Sequence, residues 1–298
     1  MKQTQTNMRN INVISLFDGM SCGQIALNEL GFKVNKYFAC EIEPNAIKVT
    51  QDNYPDTIQL GDVTKVDIQT NGIIRGETHA HSCNMIDLVI GGSPCQGFST
   101  AGKQLNFNDP RSKLFFEFVR ILNETREINP DVKFLLENVW MKKEWQDVIT
   151  SYLGVEPIEI DSNLITGANR RRLYWTNIPN VTVPKANDSK LFEVLESGNV
   201  DRDKAFCIDA NYGKGSNLRT YFEKSRRQIV FVGDNEGKDE VRNGFNYSYR
   251  LLSPIECERL HGVPDNYTSC VARTNRYHML GNGWSVQVIK HIFKNLKF

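Results

Sequence analysis

NVISLFDGMSCG, from Asn12 to Gly23, runs from apolar β-branched residues through a glycine turn into a helical pattern over Gly23 to Leu30. A short buried strand that hands over to a helix through such a turn is the opening unit of an α/β fold. The alternation continues downstream. VNKYFAC (Val34 to Cys40) precedes a helix opened by Pro44, and IDLVIGG (Ile86 to Gly92) reads as a further strand. SKLFFEFVRILNETR sets Leu114, Phe115, Phe118, Val119 and Leu122 at helical spacing, and KFLLENV (Lys133 to Val139) reads as another buried strand. Strands alternating with helices imply a mainly parallel sheet.

The 298 residues, 40% hydrophobic and 24% charged, suffice for a large core in one big domain or in a large and a small one. The opening MKQTQTNMRN lacks the apolar stretch of a signal peptide, and no apolar run approaches the ~18 residues of a membrane span. A cytoplasmic protein without membrane contact is expected. Seven cysteines (Cys22, Cys40, Cys83, Cys95, Cys207, Cys257 and Cys270) are scattered without CxxC spacing, which argues for reduced thiols over a disulfide framework or structural zinc. HAHSC, with His79, His81 and Cys83, has no evident fourth ligand, so no metal is expected.

The net charge of +1 conceals an uneven distribution. Residues 1 to 167 carry −6, residues 168 to 228 carry +5 and residues 229 to 298 carry +2. The basic segment lies where a polyanion would be gripped. From about Asn180 to Asn246 the βα rhythm gives way to polar residues, glycines and short apolar pieces such as IVFVG, as in a smaller, loop-rich second domain. WSVQVIKHIFKNLKF then returns to a helical pattern suited to packing on the first sheet.

Several motifs fall at predicted strand ends, the edge where open α/β sheets bind ligands. FDGMSCG follows the first strand. Glu41, in CEIEP after the second, stands where an acid accepts hydrogen bonds from ribose hydroxyls, and Asp62 of Gly61-Asp62-Val63 suits an adenine amino group. Together they suggest a nucleoside-containing cofactor. GGSPCQGFST (Gly91 to Thr100) brings Cys95 to the same edge, ENV (Glu137 to Val139) adds a carboxyl group, and in GANRRRLYWTN Arg170 and Arg172 alternate so as to share a face. A thiol, a carboxylic acid and paired guanidiniums suit activation of cytosine: thiolate addition at carbon 6, with protonation at ring nitrogen 3, makes carbon 5 nucleophilic. Trp140 and Trp145 read as packing residues on a helix that follows the acid.

With these motifs in order, continued by RLLSPIECERLHGVP and LGNGWSVQVI, the chain resembles the DNA (cytosine-5) methyltransferases over nearly its whole length. The glycine turn reads FDGMSCG rather than FxGxGG, and Ala168 stands where glutamine is usual. These variants resemble the catalytic domain of the animal de novo enzymes and related prokaryotic or phage enzymes. The resemblance implies a Rossmann-like S-adenosylmethionine-binding α/β domain over residues 1–178 plus 274–298 and a target-recognition domain over 179–273. It implies Cys95 as nucleophile, Glu137 as proton donor, and Arg170 and Arg172 as groups that orient the base. The cofactor would be held by Phe17, Asp18, Gly19, Ser21, Cys22, Gly23, Glu41, Ile42, Asp62, Val63, Pro94, Asn282, Trp284, Ser285 and Val286. Double-stranded DNA would meet Ser93, Gln96, Lys214, Asn217, Arg219, Arg226 and Arg227 around a flipped-out cytosine. A monomer is expected, with or without a partner restriction endonuclease. The alternatives are a transfer-RNA methyltransferase on the same scaffold, a catalytically inactive DNA-binding homologue, and a nicotinamide-dependent oxidoreductase that would leave Cys95 and the arginines unused.

Overall fold

The computed structural model describes residues 9–94, 113–232 and 248–298. The chain divides into two compact units, one of residues 1–160, 171–183 and 289–298 and one of residues 161–170 and 184–288.

The first unit is built on β1 (Ile11–Leu16), α1 (Cys22–Glu29), β2 (Val34–Cys40), α2 (Pro44–Asn53), β3 (Ile58–Gln59), β4 (Asp67–Gln69), β5 (Ile73–Arg75), β6 (Ala80–Ser82), β7 (Leu88–Gly91), α3 (Lys113–Ile128), β8 (Lys133–Val139), α4 (Lys143–Leu153), β9 (Ile158–Asp161) and β10 (Arg171–Thr176). A seven-stranded sheet takes the order β3-β2-β1-β7-β8-β10-β9, with β4-β5-β6 as a separate small sheet. The five strands from β3 to β8 run parallel and β10 runs antiparallel to β8. Fold class and the early βα units thus follow the sequence reading. Trp140 is the exception on α4: the helix begins at Lys143, so only Trp145 lies on it, and both rings pack partly buried against the core.

Alternation along each strand divides its side chains between two faces. Ile14, Leu16, Phe38, Val89, Phe134 and Leu136 join Phe115, Phe118 and Leu122 of α3 and Ile149 and Leu153 of α4 in one buried cluster. Their neighbours Ser15, Tyr37, Ile90 and Glu137 point to the other face. At the centre of the sheet Leu16 pairs with Gly91. A Cβ on Gly91 would stand 2.8 Å from the Leu16 carbonyl oxygen and 3.0 Å from the Phe118 ring, so only glycine fits between strand and helix.

The second unit contains α5 (Leu218–Lys224), the antiparallel pair β11 (Ile229–Phe231) and β12 (Tyr249–Leu251), α6 (Pro254–His261) and α7 (Arg273–Asn282). α8 (Val286–Phe293) begins in it and ends in the first unit, where Lys290 meets Glu29 at 2.5 Å. Tyr221, Ile229 and Phe231 form its small core. α6 starts with Pro254 behind a reciprocal Ser253–Glu256 cap and stops at Gly262 in the left-handed conformation. Buried Glu258 accepts from Asn266 and Thr268 backbone N–H groups and pairs with Arg276 at 2.9 Å. Residues 161–170 and 184–288 make up this unit, where the sequence reading expected 179–273. Residues 161–170 join it because Ala168 bridges to Ala205, and α7 joins it because Tyr277 lies against Tyr212 and donates to the Leu252 carbonyl. No helix among the described residues is long and apolar enough to cross a membrane.

Replacing Gly91 with alanine therefore overpacks the centre of the sheet. We expect Gly91→Ala to lower unfolding free energy by about 1–3 kcal/mol in urea denaturation, and an unchanged midpoint would contradict the contact.

Candidate active site

In the first unit the turn after β1 has alternate residues in the left-handed region: Phe17 (φ 59°), Gly19 (φ 60°) and Ser21 (φ 63°). Gly19 has open space where a Cβ would stand. Its N–H donates to Glu41 Oε2 at 2.7 Å, and Glu41 Oε1 accepts from the N–H groups of Ile42 (2.8 Å) and Glu43 (2.9 Å). Glu41 thus ties the β1 turn to the segment after β2, a structural task additional to the ribose contact expected of it. Beside it Ile42 is 71% exposed, a large apolar side chain left open to solvent.

Asp18 lies beneath the turn. It accepts from Ser21 Oγ at 2.5 Å and from the Tyr37 hydroxyl at 2.9 Å. Burial, more than these hydrogen bonds, sets its acidity and pushes it up to about 6. The same enclosure raises the Tyr37 hydroxyl and the Cys40 thiol well above their usual ranges. Cys22 and Gly23 open α1 as buried residues. Asp62 caps the short turn Val63–Lys65 by accepting from the Thr64 N–H at 2.9 Å, while the Val63 side chain enters the core and leaves only its backbone for a ligand.

At the ends of β7 and β8, Asn138 Nδ2 donates to Ser93 Oγ at 3.2 Å. This latch joins the segment of Ser93 and Pro94 to the one that carries Glu137. Asn138 went unassigned in the sequence reading although it stands inside the ENV motif. Tyr37 was missed as well, yet its alternation with Phe38 already turned it away from the main core. Cys95 and Gln96 lie outside the described residues.

Glu137 is buried and Arg172 Nε meets its Oε1 at 2.9 Å, with the two side chains 10% and 15% exposed. The pair fixes the carboxyl group's orientation. The alternation expected of Arg170 and Arg172 does not reach Arg170, because β10 begins only at Arg171. Within the second unit, the buried Arg170 guanidinium donates to the carbonyls of Gly281 (3.2 Å) and Asn282 (3.3 Å) at the end of α7. A cation there complements the partial negative charge of the helix terminus. Exposed Asn282, half-buried Trp284, buried Ser285 and buried Val286 follow in sequence. Ser285 Oγ is a buried hydroxyl without a partner among the described residues, and it fits a ligand's polar atom.

The candidate DNA-reading residues of this unit divide by their partners. Arg219 pairs with Glu223 (2.8 Å) and Arg226 with Asp209 (3.2 Å), whereas Arg227 donates to the Gly215 carbonyl at 2.6 Å. Asn217 caps α5 through the Thr220 N–H, and Lys214 is exposed at the end of a short turn. No group of three or more metal-ligating side chains occurs among the described residues.

The model of the C-5 cytosine-specific DNA methylase family matches residues 11–147 and 160–298. The type II methyltransferase M1.ScrFI of Lactococcus lactis subsp. cremoris is 28% identical over 95% of this chain and 77% of its own length. M.NlaIV of Neisseria lactamica is 37% identical over 64% of this chain and 48% of its own. Among solved structures, the Entamoeba histolytica methyltransferase EhMeth aligns over 98% of this chain and 100% of its own with TM-score 0.69 and 18% identity. Spodoptera frugiperda DNMT2 aligns over 96% and 99% with TM-score 0.68 and 19% identity, a likeness of fold.

Arg172→Ala leaves the Glu137 carboxyl buried without its cation. We expect a loss of roughly 3 kcal/mol in chemical denaturation, with Glu137→Gln, which keeps a hydrogen-bond acceptor for the guanidinium, losing less than half of that.

Proposed function

Because the chain belongs to the C-5 cytosine-specific DNA methylase family, it is a cytosine-5 methyltransferase dependent on S-adenosylmethionine, and we propose that it methylates cytosine in double-stranded DNA through a covalent Cys95 adduct. The observation that carries this reading is the Ser93–Asn138 latch. It binds the residue two before Cys95 to the residue one after Glu137, which supports the reading of the two as partners in one reaction.

The residues around the β1 turn suit the cofactor: the Gly19 opening, the Glu41 clamp and the exposed Ile42. When bound, S-adenosylmethionine supplies the sulfonium-borne methyl group that an activated carbon 5 accepts. The protein supplies the activation. The Cys95 thiolate bonds to carbon 6 of the flipped cytosine while Glu137, oriented by Arg172, delivers a proton to nitrogen 3, which leaves carbon 5 electron-rich. Once carbon 5 is methylated, a base removes the proton from carbon 5, the carbon 5–carbon 6 double bond re-forms, the thiolate departs and nitrogen 3 returns its proton to Glu137. Arg170, held at the end of α7, positions the Asn282–Val286 segment. Unpairing and unstacking the target costs a few kcal/mol, which phosphate contacts offset, and the basic stretch of residues 168 to 228 supports that role. The reading holds with or without a partner restriction endonuclease.

Methyl incorporation into duplex DNA and into transfer RNA separates the substrates. We expect incorporation into DNA, with bisulfite sequencing revealing one cytosine context, and incorporation into RNA alone would overturn the assignment. Cys95→Ala should abolish turnover and the covalent trapping of duplexes carrying 5-fluorocytosine. Retained trapping would remove Cys95 from its role.

A further inference from the structure

Ser21 begins α1 in the left-handed conformation, φ 63° and ψ 40°, although it is not a glycine. L-residues adopt that region at a cost that glycine does not meet. Serine in this place normally caps its helix through the side chain. Here the hydroxyl makes no cap and is turned back to Asp18 at 2.5 Å, while the Ser21 N–H donates to the Asp18 carbonyl at 3.1 Å.

Asp18 is arranged for this single task. Hydroxyls from three elements surround its carboxyl group: Ser15 on β1, Ser21 at the head of α1 and Tyr37 on β2. The titratable groups around it are Tyr37, Cys40 and Glu41, none of them a cation, and Asp18 forms no ion pair among the described residues. A carboxylate enclosed by hydroxyl donors, with no countercharge, is costly to maintain.

We propose that Asp18 is a positioning residue of the turn: its carboxylate holds Ser21 in the left-handed conformation and so keeps the Gly19 opening and the head of α1 shaped for the cofactor. The inference rests on the reading of Phe17 to Gly23 as the S-adenosylmethionine cradle. It assigns Asp18 to the geometry of that cradle, acting through Ser21. As pH falls through about 6 the carboxyl gains a proton and gives up one acceptor oxygen, so the hold weakens on acidification.

The test is a double-mutant cycle on the full chain, read by calorimetric binding of S-adenosylmethionine and by thermal unfolding without it. Asp18→Ala should weaken binding about tenfold or more. Ser21→Gly needs no hold, so in that background Asp18→Ala should cost less than about threefold in affinity, whatever affinity S21G itself has. The double variant D18A/S21G should therefore bind about as S21G does. Wild-type affinity should fall between pH 7.5 and 5, whereas S21G should show a flatter profile. Without cofactor, Ser21→Gly should raise the melting temperature more in the D18A background than in the wild-type background. Should D18A fail to fold, Asp18→Asn keeps the volume and should give weakened, pH-independent binding, with a cost under about threefold in the S21G background. Wild-type affinity in D18A, or a loss from S21G to the double variant as large as that from wild type to D18A, overturns the proposal. If the wild type binds no S-adenosylmethionine, the cradle assignment fails, and the unfolding cycle still decides whether Asp18 holds Ser21.

Discussion

The first unit depends on three parallel strands in register, β1 between β2 and β7, with Leu16 opposite both Cys40 and Gly91. Parallel strands deliver every following segment to one edge of the sheet, so the β1 turn, Glu41, Ser93 and Glu137 meet there without further arrangement. β10 is the necessary exception. Running antiparallel to β8, it sets its first residues beside the last residues of β8, so Arg172 pairs in register with Val139 and reaches Glu137. An acid near the end of one strand and a cation near the start of the next element of the sheet are thus brought within 2.9 Å by strand direction alone. Gly91 makes the register possible, because any side chain there would push Leu16 and Phe118 apart.

Much of this was legible in the sequence because it depends on local signals. VNKYFAC became β2 from Val34 to Cys40, KFLLENV became β8 from Lys133 to Val139, and Pro44 opened α2. The β1 turn, Glu41, Ser93 and Glu137 stand at strand ends as the α/β pattern predicts. What escaped notice depends on partners distant in sequence. The alternation of Arg170 with Arg172 assumed a strand that starts one residue later, and Arg170 meets carbonyls 111 and 112 residues away. Likewise nothing in residues 161–170 announces their bridge to Ala205, so the boundary between units could not be read from composition.

The β1 turn shows local preference giving way to a site. Phe17 and Ser21 both adopt a conformation that side chains disfavour, and Asp18 is ionisable without a cation beside it. Such departures persist only where the surroundings over-determine them. Here the surroundings are specific. The Asp18 N–H donates to the Cys40 carbonyl, Thr50 of α2 donates to the Gly19 carbonyl and Glu41 accepts from Gly19, so the turn is held from β2, α2 and the segment after β2 at once.

In the second unit the same distinction between structural and available groups sorts the cations. Arg227 and Arg170 donate to backbone carbonyls that would otherwise lack those partners, and withdrawing either would leave polar groups unpaired in partly or wholly buried surroundings. Arg219 is different: its side chain is 80% exposed and its partner Glu223 is 60% exposed. Exposed pairs of this kind are worth only about 0–1 kcal/mol, so exchanging the carboxylate for a phosphate or a base edge costs little. Arg226, 64% exposed against Asp209, stands between these cases. The +5 charge of residues 168 to 228 therefore overstates what a nucleic acid would meet. The cations with the weakest local ties are Lys214 and Arg219 before Arg226, while Arg170 and Arg227 are held by backbone carbonyls.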